Sequence, residues 1–308
     1  MSISVLTDFP TGGVADTLGS MITVGRFKLF SVINGWLRLD GGAMFGVVPR
    51  VVWSRKAKPD EQHRVKLAMR SLLAVDNESE RVILVDTGAG SKWPDDEAAR
   101  FGIENVPDAI PSALEPFGLS EAAVTDVVVT HLHFDHNGGL TEWTHRPGGP
   151  TRLRFPQARH WIHRRHWDHA IRPTERDQAS FLDRDLAALA GSEAVHFLEG
   201  DDPACPLEGV RWELSHGHTP YQLLPRFEGD QADVLWVGDM VPTSQHLPLP
   251  WIMAYDLEPL VTLEEKRALH RRCERDGLQV AFPHDPDIGG VAVDLVGPKP
   301  IISRVLDL

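Results

Sequence analysis

The sequence predicts an α/β protein built as one domain, and three observations carry that expectation. Short β-branched runs bounded by turn residues fill the N-terminal part of the chain. Farther along, strands alternate with stretches of helical spacing. No internal repeat, low-complexity tract or dividing linker interrupts residues 1–308.

Taken in order, Ile22 to Val24, Phe27 to Val32 and Trp36 to Leu39 read as short strands separated by Gly and Asn turns. Asp40-Gly41-Gly42-Ala43-Met44-Phe45-Gly46-Val47-Val48-Pro49 reads as a loop. Its glycines suit a close approach, and its apolar residues suit either a cover over a ligand or a buried connection. Leu67 to Val75 and Arg81 to Val85 form a strand pair around Asp76-Asn77-Glu78, and the second strand ends in Asp86-Thr87-Gly88. Helical starts follow at Pro111 to Phe117 and Ser120 to Ala123. Asp126 to Thr130 is a buried type of strand that runs directly into a histidine cluster. Glu175 to Ala190 carries Ala179, Leu182, Leu186 and Leu189 at helical spacing. Val210 to Leu214 and Val234 to Val237 are strands, and Thr262 to Arg275 is a helix with Thr262 as N-cap and Glu265 closing a capping box. Gln279 to Phe282 is the last core strand, ending at Pro283-His284-Asp285.

Composition narrows the function. The chain is 42% apolar and 24% charged, ordinary for a soluble globular protein. Its 44 acidic against 31 basic residues give a formal charge of −13, which repels phosphate backbones and anionic membrane surfaces, so neither nucleic acid nor membrane is an expected partner. Cys205 and Cys273 fit two unpaired thiols better than one disulfide. Met1 to Ser20 has no basic or apolar region of a secretory signal, and no apolar run reaches the roughly 20 residues of a spanning helix. The expected location is the cytoplasm.

The chemistry is concentrated in His131-Leu132-His133-Phe134-Asp135-His136. Residues two apart on an extended segment point the same way, so His131 and His133 can face one metal. Asp135 and His136, on the following turn, can reach a second. Imidazole and carboxylate are suitable ligands for zinc and related divalent ions. Later strand ends supply further candidates: His218 in Gly217-His218-Thr219-Pro220, Asp239 in Gly238-Asp239, and His284. A lone histidine at any of these places would be an ordinary surface or capping residue; three of them after a four-ligand run are not. His160, His163, His166 and His169, spaced every third residue, lack matching carboxylates and read as a polar, partly packed segment rather than another metal site.

These motifs resemble those of metallo-β-lactamase-fold hydrolases, whose signature is H-x-H-x-D-H, then G-H-T, then G-D, then a late His. The Asp40 to Pro49 run and Thr130 to His136 are similar to the branch of quorum-quenching N-acyl-homoserine lactone lactonases. The resemblance covers nearly the whole chain. It implies an αββα sandwich, two mixed β-sheets flanked by helices. It implies one metal on His131, His133 and His218, a second on Asp135, His136 and His284, and Asp239 bridging both. It further implies that Asp86 orients a metal-binding histidine.

Two departures stand out. The family's G-H-T-P-G-H is here Gly217-His218-Thr219-Pro220-Tyr221-Gln222. The tyrosine that some lactonases place three residues after the bridging Asp, to stabilise an oxyanion, is Pro242, leaving Tyr255 and His246 as candidates for that role.

The expected activity is therefore opening of a lactone ring by a hydroxide shared between two divalent ions, with Asp135 shuttling its proton. Zinc is the expected metal, with cobalt, manganese and iron as alternatives. Met44, Phe45 and Val47, together with His246 and Tyr255, are the candidate substrate pocket. A phosphotriesterase or arylesterase on the same site is the alternative reading. A redox enzyme or a non-catalytic binding module of the same fold is disfavoured, because His133 stands where diiron relatives place Glu and all seven ligands are present. The segment from Asp40 to about residue 70 is longer than a bare fold requires. The resemblance implies that it borders the pocket and takes part in a homodimer.

Overall fold

The structure, a computed structural model, describes residues 21–308; the reading of Met1 to Ser20 falls outside them. Two mixed sheets dominate. The first has eight strands and runs Ile22–Val24, Phe27–Asp40, Arg64–Asp76, Val82–Val85, Asp126–Val128, Arg159–His163 and Val195–Leu198, with Glu104–Asn105 pairing beside Phe27–Asp40. Its neighbours are antiparallel as far as Val82–Val85 and parallel from there on. The second has six strands in chain order, Val210–Ser215, Gln222–Phe227, Val234–Trp236, Gln279–Ala281, Gly290–Val296 and Lys299–Leu306. Only the Val234–Trp236 and Gln279–Ala281 pair is parallel in it.

Strand alternation explains the layering. Successive side chains point to opposite faces, so a strand covered on both faces must be apolar throughout. Leu72, Ala74, Ile83, Val85 and Val128 of the first sheet meet Leu223, Phe227, Val234, Trp236 and Ala281 of the second in one buried cluster between the sheets. Their sequence neighbours Leu73, Leu84, Val127 and Val129 turn outward under Ile110, Leu114 and Trp167. On the far face of the second sheet, Leu235, Val280 and Val291 pack beneath Leu269 and Cys273 of the helix Pro259–Asp276. This is the αββα sandwich expected.

Several elements differ from expectation. The hairpin at Gly25 holds, but the Asn34-Gly35 signal is a bulge inside one 14-residue strand. Asn34 is the extra residue, held by a 2.6 Å bond from its Nδ2 to Ser71 Oγ. The glycine-rich Asp40 run is not all loop. Asp40 caps a short helix, Gly41–Phe45, by accepting the N–H of Ala43. Glu175 to Ala190 breaks into the 3₁₀ turn Gln178–Ser180 and the helix Asp183–Leu186. There, Asp177 accepts bonds from the N–H and hydroxyl of Thr174 and pairs with His169, a local arrangement that competes with continuous helix.

The helix Pro259–Asp276 begins one turn earlier than read, with Glu258 rather than Thr262 at its N-cap. Thr262 Oγ1 instead donates to Asp256 Oδ2 at 2.7 Å, and Glu265 accepts from Ser215 Oγ and the N–H of His216. Both cysteines are free. Among the described residues no helix is long and apolar enough to cross a membrane.

Candidate metal centre

Every candidate ligand follows the C-terminal end of a strand, and the two sheets deliver these ends to one place. The strand Asp126–Val128 leads into His131 to His136, Val210–Ser215 into His218, Val234–Trp236 into Asp239 and Gln279–Ala281 into His284. Gly217 permits one of these approaches, since a Cβ there would lie 2.1 Å from Thr262 Oγ1 and 2.5 Å from its N. His284 is tied back to the opposite sheet by its Nδ1, which donates to the carbonyl of Ala68 at 2.7 Å.

The seven residues form three overlapping groups able to hold a cation: His131 with His133 and His218, His131 with His136 and Asp239, and Asp135 with His136 and His284. All are buried except Asp135, which is partly exposed. Buried polar atoms normally find partners, yet His131 Nε2 and Asp239 Oδ1 have none in hydrogen-bond geometry. His133 Nδ1 lies 3.1 Å from His218 Nε2, and His136 Nε2 lies 2.9 Å from His284 Nε2. Two nitrogens on one tetrahedral zinc, each at 2.0–2.1 Å, would be about 3.3 Å apart. Converging imidazoles at nearly that spacing, with orphaned acceptors around a carboxylate, fit divalent metal.

The electrostatics of His131, His133 and Asp239 agree with this donor set. Burial, reinforced by neighbouring histidines, holds His131 and His133 well below the usual imidazole range, so both are neutral lone-pair donors. Burial opposes ionisation of Asp239, but His284, His136 and His218 outweigh it and keep the group a carboxylate. Burial likewise opposes protonation of His136 and His218, and the charge of Asp239 raises both instead; a divalent cation beside Asp239 would take the place of those protons.

The orienting partners are specific. Asp86 Oδ2 accepts from His136 Nδ1 at 3.1 Å. Asp86 also receives Thr130 N–H and Oγ1 and Trp236 Nε1, and it holds a left-handed φ of 56°. Asp is among the residues that tolerate this conformation best. Three partners were not anticipated. Asp256 Oδ1 accepts from His218 Nδ1 at 3.0 Å. Gln222 Oε1 accepts the N–H of Asp239 at 3.1 Å. His166 bonds Leu132 and Pro220, both beside ligands. Gln222 was legible as a departure from the motif, whereas Asp256 carries no motif signal.

A cavity of about 260 Å³ opens onto the cluster. Its walls include Leu39, Met44, Leu67, Phe134, Met253 and Tyr255, and His133, Asp135, Asp239 and His284 also line it. Met44 and Tyr255 line this cavity. Phe45, Val47 and His246 do not line it. Phe45 is buried and stacks on His246 with ring centroids 5.0 Å apart. Val47 is 86% exposed. His246 is locked by accepting from Thr243 Oγ1 and donating to the carbonyl of Met44, and burial lowers it to about 3.

Comparison with known proteins agrees with the fold. A curated relative, the N-acyl homoserine lactonase AttM of Azorhizobium caulinodans, is 27% identical over 183 residues; the aligned part is 56% of this chain and only 63% of that relative's length. A probable metal-dependent hydrolase from Staphylococcus aureus superposes with TM-score 0.80 at 24% identity, covering 92% of this chain and 100% of that one. AidC, a dizinc quorum-quenching lactonase solved with a product, superposes with TM-score 0.73 at 19% identity, covering 94% of this chain and 100% of that one. The sequence profile of the metallo-beta-lactamase superfamily matches residues 70–291, most of the chain, and the chain belongs to that superfamily.

Proposed function

We propose that this hydrolase opens lactone rings of the N-acyl-homoserine lactone type, using two divalent cations held by His131, His133 and His218 and by Asp135, His136 and His284, with Asp239 between them. The observation that carries the reading is the convergence of these ligands at an apolar cavity of about 260 Å³. A largely neutral substrate with an acyl tail suits walls built from Leu39, Met44, Leu67 and Met253. The AttM and AidC likenesses support the same substrate class. The chemistry that a bound divalent pair supplies is Lewis-acid polarisation and a water pKa brought toward ~7. Asp135, partly exposed on the cavity wall, is the group we assign to accept and pass on a proton. Tyr255 lines the same cavity, and no protein hydrogen bond engages its hydroxyl among the described residues. We assign it the oxyanion-donor role vacated at Pro242. Zinc is the metal proposed, and a single domain assembled as a cytoplasmic homodimer is the proposed form. Exposed Val47, Val51 and Val52 on the 40–70 segment support the dimer, and a monomeric mass in light scattering overturns it.

The test of function is a pH-stat panel of homoserine lactones, aryl esters, β-lactams and phosphotriesters on protein of measured metal content. Lactone turnover should lead the panel and vanish on chelation, returning with zinc, cobalt or manganese. Phosphotriester turnover without lactone turnover, or full activity in metal-free protein, rejects the proposal.

A further inference from the structure

His166 belongs to the every-third-residue histidine series, and nothing in the proposed reaction uses it. It sits in the first turn of the helix Arg164–Ala170 and is 1% exposed. Its Nε2 accepts the backbone N–H of Leu132 at 2.8 Å, and its Nδ1 donates to the carbonyl of Pro220 at 2.8 Å. A backbone N–H only donates and a carbonyl only accepts, so the two bonds fix one neutral tautomer, protonated at Nδ1. Leu132 lies between His131 and His133, and Pro220 lies two residues beyond His218. One imidazole therefore fastens together the segments that carry His131, His133 and His218, although those segments leave different sheets. A second tie, from the N–H of Leu223 to the carbonyl of Thr130, joins the same segments outside the ligand run. His166 supplies the tie inside it.

We propose that His166 is a positioning residue that sets the spacing of the His131, His133 and His218 ligand group, and so the affinity of one of two ions. This rests on the dinuclear reading above. The Asp135 and His284 side receives no bond from His166, so the effect is confined to one ion. Loss of a partner that orients ligands typically costs roughly 10–100-fold in metal affinity.

The experiment is a zinc titration against a chelating dye, run on wild type, His166→Leu and His166→Gln, with thermal unfolding of each metal-free protein in parallel. Glutamine retains one acceptor and one donor; leucine retains neither. Wild type should bind two ions. H166L should keep one at wild-type affinity and hold the other roughly 10–100-fold more weakly, and H166Q should recover part of that loss. Wild-type affinity for both ions in H166L overturns the proposal while leaving the dinuclear reading intact. Equal weakening of both ions that tracks a fall in apo stability overturns it as well, by showing a general structural role. Should H166L fail to fold, H166Q decides: a selective loss at one ion supports the proposal, and no loss or equal loss overturns it. A wild type that binds no metal rejects the dinuclear reading itself.

Discussion

Asp256 Oδ1 lies 3.0 Å from His218 Nδ1, and Thr262 Oγ1 donates to the other Asp256 oxygen at 2.7 Å. A hydroxyl on the helix Pro259–Asp276 thereby aims a carboxylate, and the carboxylate aims an imidazole. The pair matches Asp86 and His136 on the other side of the site. Such a partner fixes the ring's orientation and turns Nε2 toward the metal site. Asp256→Ala should weaken metal binding by roughly 10–100-fold, and Asp256→Asn by less. A competition titration with a chelating dye measures this directly. An unchanged affinity in D256A would show that packing alone orients His218.

Tyr255 tests the proposed oxyanion donor. Tyr255 is 39% exposed, and partial burial of its ring, with added repulsion from Asp40 and Asp135, raises its phenol. The sign follows: a raised acid pKa keeps the proton on, so Tyr255 remains a donor throughout the neutral and moderately alkaline range. Removing one oxyanion donor typically costs about 10²–10³-fold in kcat. Tyr255→Phe should therefore lower kcat for lactones with little change in KM. It should leave the pKa values of the kcat profile below pH 10 where they were. A change confined to KM would assign Tyr255 to substrate binding alone.

Lys266 gives a stability prediction with a defined pH window. Its Nζ is buried inside the structure and donates to the carbonyls of Trp251 at 2.7 Å and Pro248 at 2.9 Å, fastening the segment that supplies Met253 to the cavity. Burial lowers the amine from 10.5 to about 7, against a weaker opposing pull from Asp256. Between those two values the unfolded chain binds a proton that the folded chain releases. Stability from this group therefore rises with pH across the window and is lost as pH falls through about 7. Chemical denaturation of Lys266→Met beside wild type should show wild type gaining relative stability from pH 7 to pH 10. A difference independent of pH would place the Lys266 pKa at its unfolded value.

Legibility in the sequence followed how local each feature's cause is. The seven candidate ligands and Asp86 are readable because each follows a strand end within a few residues, and strands announce themselves by β-branched runs. Asp256 was not, because it lies in coil with no periodicity, and its role depends on His218, 38 residues away. His166 looked like a polar decoy for the same reason: its partners are the main-chain groups of Leu132 and Pro220, which carry no side-chain signature. Helical spacing from Glu175 to Ala190 misled, since a local bond network around Asp177 outcompeted the helix. Asn34-Gly35 misled because a bulge and a turn share residue preferences.

Phe45 and Met44 show how the same ambiguity bears on the pocket. Both are apolar and adjacent in one short helix, so composition does not rank them. The helix turns them to different surroundings: Met44 lines the cavity, and Phe45 packs between Trp53, His246 and Trp251 with ring centroids 5.3, 5.0 and 5.5 Å away. Truncating a buried phenylalanine typically costs about 3–5 kcal/mol. Phe45→Ala should therefore lower stability by about that amount, with any loss of activity shared evenly across acyl-chain lengths. Met44→Ala, which enlarges the cavity wall, should instead raise the relative kcat/KM for longer acyl chains, at a stability cost of about 2–5 kcal/mol for a buried methionine. Denaturation curves and a lactone series from short to long acyl chains separate the two. A change of chain-length preference in F45A with wild-type stability would return Phe45 to the pocket.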